Sequence, residues 1–176
     1  MRKEFYITTP IYYVNDKPHI GTAYTTILAD VLSRFKHDSG HNTFFLTGLD
    51  EHGQKVQEAA EHKNVTAQKH CDEMAPRFIN LWKRLHISND DFIRTTEKRH
   101  KKIVQSILQR VMDNGDIYEA EYEGLYSVSE ERFITEKEAE SGDFRDIKKL
   151  KEKNYFFKMS KYQQQFIDHI KSNPKF

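Results

Sequence analysis

Residues 5–22 read FYITTPIYYVNDKPHIGT, and this stretch decides the fold. Its first five residues are aromatic or β-branched, a composition that favours a buried strand. Pro10 ends the strand, and the residues that follow are typical of turns. From His19 to Phe35, apolar residues recur at three- and four-residue spacing, which predicts one face of a helix. The stretch therefore predicts a strand, a loop and a helix in succession.

A second strand is predicted over residues 42–47, after Gly40 ends the helix, and residues 48–53 form the next loop. A strand, a helix and a strand within about fifty residues open a parallel α/β sheet with a right-handed crossover. Further patterns predict helices over residues 54–62, 66–85, 96–114 and 162–171, and strands over residues 90–95 and 154–157. The predicted fold class is therefore α/β.

The amino-acid composition of the sequence changes after Gly115. Residues 116–135 are rich in tyrosine and glutamate, and residues 142–153 are polar and basic. This change indicates a small insertion and not a continuation of the sheet. We expect three parts: a first half-domain over 1–115, an insertion over 116–160 and the start of a return segment over 161–176.

Composition excludes several classes of protein. With 28 Lys and Arg against 27 Asp and Glu, the net charge of +1 is too small for a standalone nucleic-acid binder. No apolar run is long enough to span a membrane, the N-terminus lacks a signal-peptide core, and Cys71 is the only cysteine. We expect a cytoplasmic protein without membrane contact. Residues 143–161 hold seven Lys or Arg and three acids, which suits a solvated loop more often than an RNA site.

The helix start is the candidate chemical site. In open α/β sheets, ligands bind beyond the carboxyl ends of strands, where free helix N–H groups favour phosphate. His19 can donate to a phosphate, Gly21 leaves room for a flat ring and Thr22 offers a hydroxyl. In the next loop, Asp50 and Glu51 could pair with an ammonium group. Structural interpretations stay open: His19 as a cap or surface residue, Asp50 as an N-cap and Glu51 as a first-turn acid.

At this point the chain resembles a known family. Residues 9–21, TPIYYVNDKPHIG, are similar to the signature region of bacterial methionyl-tRNA synthetases, and residues 44–55, FFLTGLDEHGQK, to their second catalytic stretch. Residues 90–97, 115–118 and 123–126 also resemble the family, so the likeness runs through essentially the whole chain. The signature region comprises Tyr12, Tyr13, Val14, Asn15, Asp16, Lys17, Pro18, His19, Ile20, Gly21 and Thr22.

The resemblance implies the N-terminal half of a Rossmann-like, HIGH-type catalytic domain of class I aminoacyl-tRNA synthetases, split by a connective insertion. It implies ATP-dependent activation of methionine to methionyl-adenylate, with magnesium, and transfer to the acceptor end of tRNA(Met). The implied methionine-binding residues are Pro10, Ile11, Tyr13 and Asp50, and the implied ATP-binding and catalytic residues are His19, Gly21 and Thr22.

The chain departs from the family pattern in four ways. Thr22 replaces the second histidine of the family motif. Ser127 and Glu130 stand where many members carry paired cysteines, so we expect no zinc. Residues 158–161, KMSK, resemble the lysine loop that holds the triphosphate, but their flanks match the end of the insertion instead. The second half of the catalytic fold and the anticodon-reading domain are absent, so we expect a fragment that is weak or inactive alone.

Two other functions stay open. The chain could belong to a different nucleotidyl transferase of the same superfamily, which would also use a His-x-Gly helix start. It could also be a non-catalytic module that holds a methionine analogue, a tRNA end or another protein.

Overall fold

The computed structural model describes residues 2–130, 132–144 and 146–174, and it divides into two compact units, residues 1–104 and 105–176. Arg145 of the basic stretch and the last two residues of the predicted return segment lie outside the described residues. The division falls inside a helix and is based on compactness, so the three functional parts named above remain a prediction.

The first unit is a parallel α/β arrangement. Its strands are β1 (Glu4–Thr8), β2 (Tyr12–Tyr13), β3 (Asn42–Asp50) and β4 (Asp91–Arg94). Its helices are α1 (Ile20–Asp38), α2 (Gln54–His62) and α3 (Ala67–Arg84), and α4 (Lys98–Asp113) begins in it and continues into the second unit. The predicted α/β class is confirmed.

Strand β3 is the centre of the sheet. It pairs in parallel with β1 and then β2 along one edge, and with β4 along the other. Leu46, for example, lies between Thr8 and Asp91. Because all the strands run the same way, their carboxyl ends and the loops that follow them lie at one edge of the sheet. That edge carries the candidate site.

Two neighbouring strands approach closely at Gly48. A Cβ placed on this residue would lie 2.1 Å from the carbonyl oxygen of Ile93 on β4. A backbone atom cannot move away as the end of a flexible side chain can, so the spacing of β3 and β4 requires glycine here.

The core of the first unit joins β2, β3, α2 and α3. It is built on an aromatic cluster in which the ring of Tyr12 lies 6.3 Å from that of Phe78 and 6.0 Å from that of Trp82, between centroids. The other buried members are Val14, Leu49, Val56, Cys71, Met74 and Ala75. Burial raises the pKa of the Cys71 thiol to about 11, so this cysteine is a packing residue and not a nucleophile.

Helix α1 is attached through polar groups. Its buried side carries Thr26, Ala29, Asp30 and Ser33. The hydroxyls of Thr26 and Tyr12 are 2.8 Å apart, and the Asp30 carboxylate accepts from both the backbone N–H and the hydroxyl of Ser88 at 2.6 Å. Burial opposes the charge on Asp30, but the hydrogen bonds from Ser88 and Arg34 outweigh it and lower the pKa of the carboxyl.

The predicted apolar face of α1 is therefore not the face that packs on the sheet. An amphipathic stripe normally faces the core of its own domain. Here the large apolar side chains of the stripe are between 40% and 88% exposed. They are Ile20, Tyr24, Ile27, Leu28, Val31, Leu32 and Phe35.

The second unit is an antiparallel sheet with the strand order β6-β5-β7. Its strands are β5 (Ile117–Ser127), β6 (Arg132–Ile134) and β7 (Ile147–Phe157), and its helices are α5 (Glu136–Glu140) and α6 (Gln163–Ser172). This sheet shares no strand with the parallel sheet. Strand β7 is longer than predicted and includes most of the basic stretch.

The cations of the basic stretch are largely paired within the unit. Three exposed ion pairs run across β5 and β7, with N–O distances of 2.8 to 3.1 Å: Lys149–Glu123, Lys151–Glu121 and Lys153–Glu119. Each exposed pair contributes little stability. However, these pairs give most of the stretch a structural role within a strand and leave it less charge for binding RNA.

Apart from β7, which begins well before the predicted strand, the helices and strands predicted from periodicity occur where expected, with ends that shift by a few residues. Strand β3 continues to Asp50, three residues beyond its predicted end. The last strand ends at Phe157, as predicted, and a short 3-10 helix follows over Met159–Lys161. Within the described part of the chain, no helix combines the length and apolarity needed to cross a membrane.

We predict that Gly48→Ala destabilises the first unit by about 3 kcal/mol, because the new methyl group collides with backbone. Gly124→Ala is the matched control, since its Cβ would meet only the rings of Tyr122 and Phe133, at 3.0 and 3.2 Å. Urea denaturation followed by circular dichroism measures both variants. Equal losses would contradict the close-approach argument.

Candidate nucleotide and amino-acid site

Helix α1 begins with a capping box formed by His19 and Thr22. The His19 ring accepts a hydrogen bond from the Gly21 N–H through Nδ1 at 3.1 Å. The Thr22 hydroxyl accepts from the His19 N–H at 3.0 Å and donates to the His19 carbonyl at 2.7 Å. Because Nδ1 is an acceptor, the hydrogen of the neutral ring lies on Nε2, which is left to donate to a ligand.

Gly21 is required by this cap. A Cβ at Gly21 would lie 2.9 Å from Cε1 and 3.1 Å from Nδ1 of His19. The three residues predicted to contact ATP are thus held together by the first turn of the helix. The structure also gives Thr22 a role that the sequence analysis did not foresee, because its hydroxyl already closes the helix start.

A cavity of about 600 Å³ opens beside this turn, a size usual for small-molecule sites. Its wall includes six of the seven predicted site residues, namely Pro10, Ile11, Tyr13, His19, Gly21 and Thr22. It also includes Tyr12, Asn15, Asp16 and Lys17 of the signature region, together with Thr25 and Phe78.

Asp50 does not line this cavity, but it flanks it. In the sheet it is the register partner of Tyr13, and its carboxylate accepts a long hydrogen bond of 3.4 Å from the His52 N–H. The interpretation of Asp50 as the N-cap of α2 is wrong, because that helix begins after Gly53 and has no side-chain cap. Among the described residues, no ion pair joins the Asp50 carboxylate to a cation, and it remains suited to an ammonium group.

Glu51 has a different role from the one expected. Its carboxylate is fully buried and accepts hydrogen bonds from Arg94 Nε at 2.7 Å and from the Thr96 hydroxyl. The Glu51 N–H in turn donates to the Thr95 hydroxyl at 2.9 Å. The carboxylate is therefore not available to a substrate ammonium group. It ties the loop after β3 to the end of β4, which fixes the position of its neighbour Asp50.

Two residues of α3 contribute to the site that sequence reasoning did not identify. Phe78 forms part of the cavity wall. The buried ring of His70 donates through Nε2 to the Val14 carbonyl at 2.8 Å, while its Nδ1 lies 3.2 Å from the Lys63 ammonium. An ammonium group can only donate, so Lys63 sets the tautomer of His70. The apolar period of α3 could have indicated Phe78, but no local signal indicates a bond between residues 56 positions apart.

The KMSK segment, residues 158–161, is held inside the second unit. Lys158 Nζ donates to the Gly115 carbonyl at 2.7 Å, and Lys161 Nζ lies 2.5 Å from the buried carboxylate of Asp116. The Tyr162 hydroxyl donates to the same carboxylate at 2.5 Å. Both lysines thus close the base of the insertion, which supports the expectation that they do not hold a triphosphate.

Hydroxyl and backbone groups close the turn after β5, where many family members carry cysteine pairs. The hydroxyl of Ser127 is buried, lies 3.1 Å from that of Ser129 and accepts a 3.4 Å hydrogen bond from the Glu130 N–H. A structural zinc site needs thiolate or imidazole ligands. The residues at this turn do not fit one, and the described residues contain no cluster of three or more His, Cys, Asp or Glu able to hold a metal.

Comparison with known proteins defines the class. The family described as tRNA synthetases class I (M) matches residues 5–144, and this chain belongs to it. Methionine–tRNA ligases of Fusobacterium nucleatum subsp. nucleatum and Rickettsia bellii are 51% and 50% identical to it. These matches cover 100% of the chain but only 28% and 35% of those relatives.

The Mycobacterium tuberculosis methionyl-tRNA synthetase in complex with methionyl-adenylate has the same fold, with a TM-score of 0.90 and 36% identity. The match covers 99% of this chain and 36% of that one. The resemblance and the Rossmann-like fold expected from the sequence are therefore confirmed.

We predict that Glu51→Gln costs about 3 kcal/mol of stability, because it removes one charge of a buried pair and leaves Arg94 partly uncompensated. Asp72→Asn is the matched control: it accepts from the same guanidinium at 2.6 Å, but its side chain is 53% exposed. We expect the control to cost less than about 1 kcal/mol. Urea denaturation measures both, and a control loss as large as that of Glu51→Gln would contradict the assignment.

The second unit should show an acid-dependent stability centred on Asp116. Hydrogen bonds from Lys161 and Tyr162 hold the pKa of Asp116 below its ordinary value of 3.8. The stabilisation is therefore complete above that ordinary value and is lost as the pH falls through the lower pKa of the folded state. We therefore expect the melting temperature, measured between about pH 2 and pH 6, to fall less steeply toward acid pH in Asp116→Asn than in the unsubstituted chain. Asp168→Asn, on the exposed face of α6, is the control and should leave the pH dependence of the melting temperature unchanged. The same pH dependence in both variants would contradict the role of Asp116.

Proposed function

We propose that this chain is the N-terminal catalytic part of a methionine–tRNA ligase. The observation that carries the proposal is the cavity at the start of α1, whose wall holds every predicted methionine- and ATP-binding residue except Asp50. The solved relative bound to methionyl-adenylate supports this ligand for the cavity. We assign residues 1–115 to the first half of the catalytic domain, 116–160 to a zinc-free insertion and 161–176 to the return toward the second half.

The proposed reaction joins methionine to AMP. A carboxylate oxygen of methionine attacks the α-phosphorus of ATP, supplied as its magnesium complex, and forms a new P–O bond. The P–O bond to pyrophosphate breaks, and pyrophosphate leaves with the electron pair. Negative charge grows on the phosphate oxygens during this exchange, so groups that donate hydrogen bonds to them lower the barrier.

His19 and the first turn of α1 supply those donors. Nε2 of His19 has its hydrogen available because Nδ1 is occupied by the Gly21 N–H. The free N–H groups and the dipole of α1 add to this effect. Thr22 is proposed to act through the cap that orients His19, and it contacts ATP only through its remaining lone pair. A neutral threonine gives this position less attraction for phosphate than the family's histidine.

Methionine is proposed to bind against Pro10, Ile11 and Tyr13, with its ammonium group at Asp50. Ile11 and Tyr13 are 43% and 46% exposed, which leaves apolar surface for a thioether side chain. Asp50 lies next to Tyr13 in the sheet, so one ligand can reach both. In a second step, a terminal hydroxyl of tRNA(Met) would attack the methionyl carbonyl and form an ester, while the bond to the phosphate breaks and AMP leaves. We propose that this takes place in the cytoplasm.

Full activity is proposed to require further polypeptide. The matched region makes up only 28% and 35% of the two ligases named above, and the exposed apolar face of α1 offers a surface for their additional domains. We propose that the second half of the catalytic fold packs on this face. Apolar surface of this extent is unusual on a protein that acts alone.

The test is methionine-dependent exchange of pyrophosphate into ATP. We expect little exchange from the purified chain, and clear exchange after addition of the part of the Fusobacterium nucleatum ligase that this chain does not match. Within the complemented enzyme, His19→Asn should lower kcat about 100- to 1000-fold. Asparagine still caps a helix, so the fold should survive.

His62→Asn, at the exposed end of α2, is the matched control and should keep the rate. Robust exchange by the chain alone would contradict the need for a second half. Exchange supported by another amino acid but not by methionine would contradict the proposed substrate.

A further inference from the structure

A second, basic cavity lies beside the proposed adenylate site in the first unit. It measures about 280 Å³ and lies between the loop before α1 and the C-terminal half of α3. Its lining residues are Lys17, Pro18, Arg77, Asn80, Leu81 and Arg84. Three of the six carry positive charge, one offers an amide, and none is acidic. On α3, positions 77, 80, 81 and 84 form one stripe of the helix.

These cations are not neutralised by the fold. Three other arginines of the unit do form ion pairs: Arg34 with Asp30, Arg94 with Glu51 and Asp72, and Arg99 with Asp91 and Glu97. Within the described part of the chain, no ion pair or side-chain hydrogen bond joins Lys17, Arg77 or Arg84 to an acid. Three like charges around one concavity repel each other unless an anion lies between them.

A structural role accounts for only part of this cluster. Arg84 lies in the last turn of α3, where a positive charge interacts favourably with the helix dipole. Lys83 lies in the same turn and makes the same interaction, but it does not line the cavity. Arg77 lies in the middle of the helix, directly after Pro76, and Lys17 lies in the signature loop. Neither gains from the dipole of α3.

We propose that this cavity binds phosphate groups of an RNA strand whose end enters the adenylate site. Lys17 is the connecting observation, because it lines both the basic cavity and the larger cavity at His19. Arginine and lysine contacts to phosphates position a strand without reading its sequence. The proposal rests on the proposed function, which supplies an RNA acceptor, and it assigns part of the binding of that acceptor to α3.

The test measures binding of a short single-stranded oligoribonucleotide of mixed sequence to the full 176-residue chain, by fluorescence anisotropy over a range of salt. Each cation that neutralises a phosphate contributes about −0.7 to the slope of log K against log salt for a single strand. Arg77→Gln and Arg84→Gln should therefore each reduce the slope by about 0.7 and weaken binding about 5-fold at roughly 0.1 M salt. Lys83→Gln, on the same helix but outside the cavity, is the matched control and should change neither.

Several outcomes would overturn the proposal. These are the absence of salt-dependent RNA binding, an equal effect of Lys83→Gln, and competition by tripolyphosphate or polyglutamate as strong as by RNA of equal charge. The last would identify a site for small phosphates or for acidic peptides. Pyrophosphate exchange in the complemented enzyme needs no RNA. Failure of that exchange would contradict the proposed function, whereas failure of RNA binding alone would contradict only the proposal for the basic cavity.

Discussion

A buried carboxylate that must be paired organises the edge of the sheet where the chemistry is proposed. Glu51 follows the central strand, and its charge is stable in the interior only because Arg94 and Thr96, from the neighbouring strand and its loop, satisfy it. The pair brings the ends of two strands into one rigid corner. Asp50 takes its position from that corner, so a buried residue decides where the carboxylate proposed to bind the substrate lies.

The start of α1 shows how one set of atoms serves folding and binding together. The helix needs partners for its first N–H groups, and His19 and Thr22 supply them. The same cap turns Nε2 of the imidazole outward. Thr22, which stands where the family motif has its second histidine, thus serves the helix start through its hydroxyl.

Local pattern in the sequence is enough to predict most of the elements, and the motif resemblance names all the residues that line the cavity at His19 except Thr25 and Phe78. Period and turn residues locate α1, α2 and α3, and motif resemblance locates His19 and Gly21. What could not be predicted depends on partners far along the chain. The burial of Glu51 depends on Arg94, and the bond of His70 to Val14 spans two elements. The apolar period of α1 correctly indicates a helix, but it cannot say whether the apolar side meets the sheet or something else.

The exposed side of α1 has a consequence for synthesis. In polypeptides as long as the matched relatives, this helix leaves the ribosome well before any distant covering segment, and at about 5–20 residues per second the interval lasts roughly tens of seconds. Throughout that time, seven large apolar side chains face water on an otherwise folded domain. Exposed apolar surface of this kind promotes aggregation before a protein is fully assembled. The same helix whose first turn is proposed to bind phosphate thus exposes apolar surface along the rest of its length until that surface is covered.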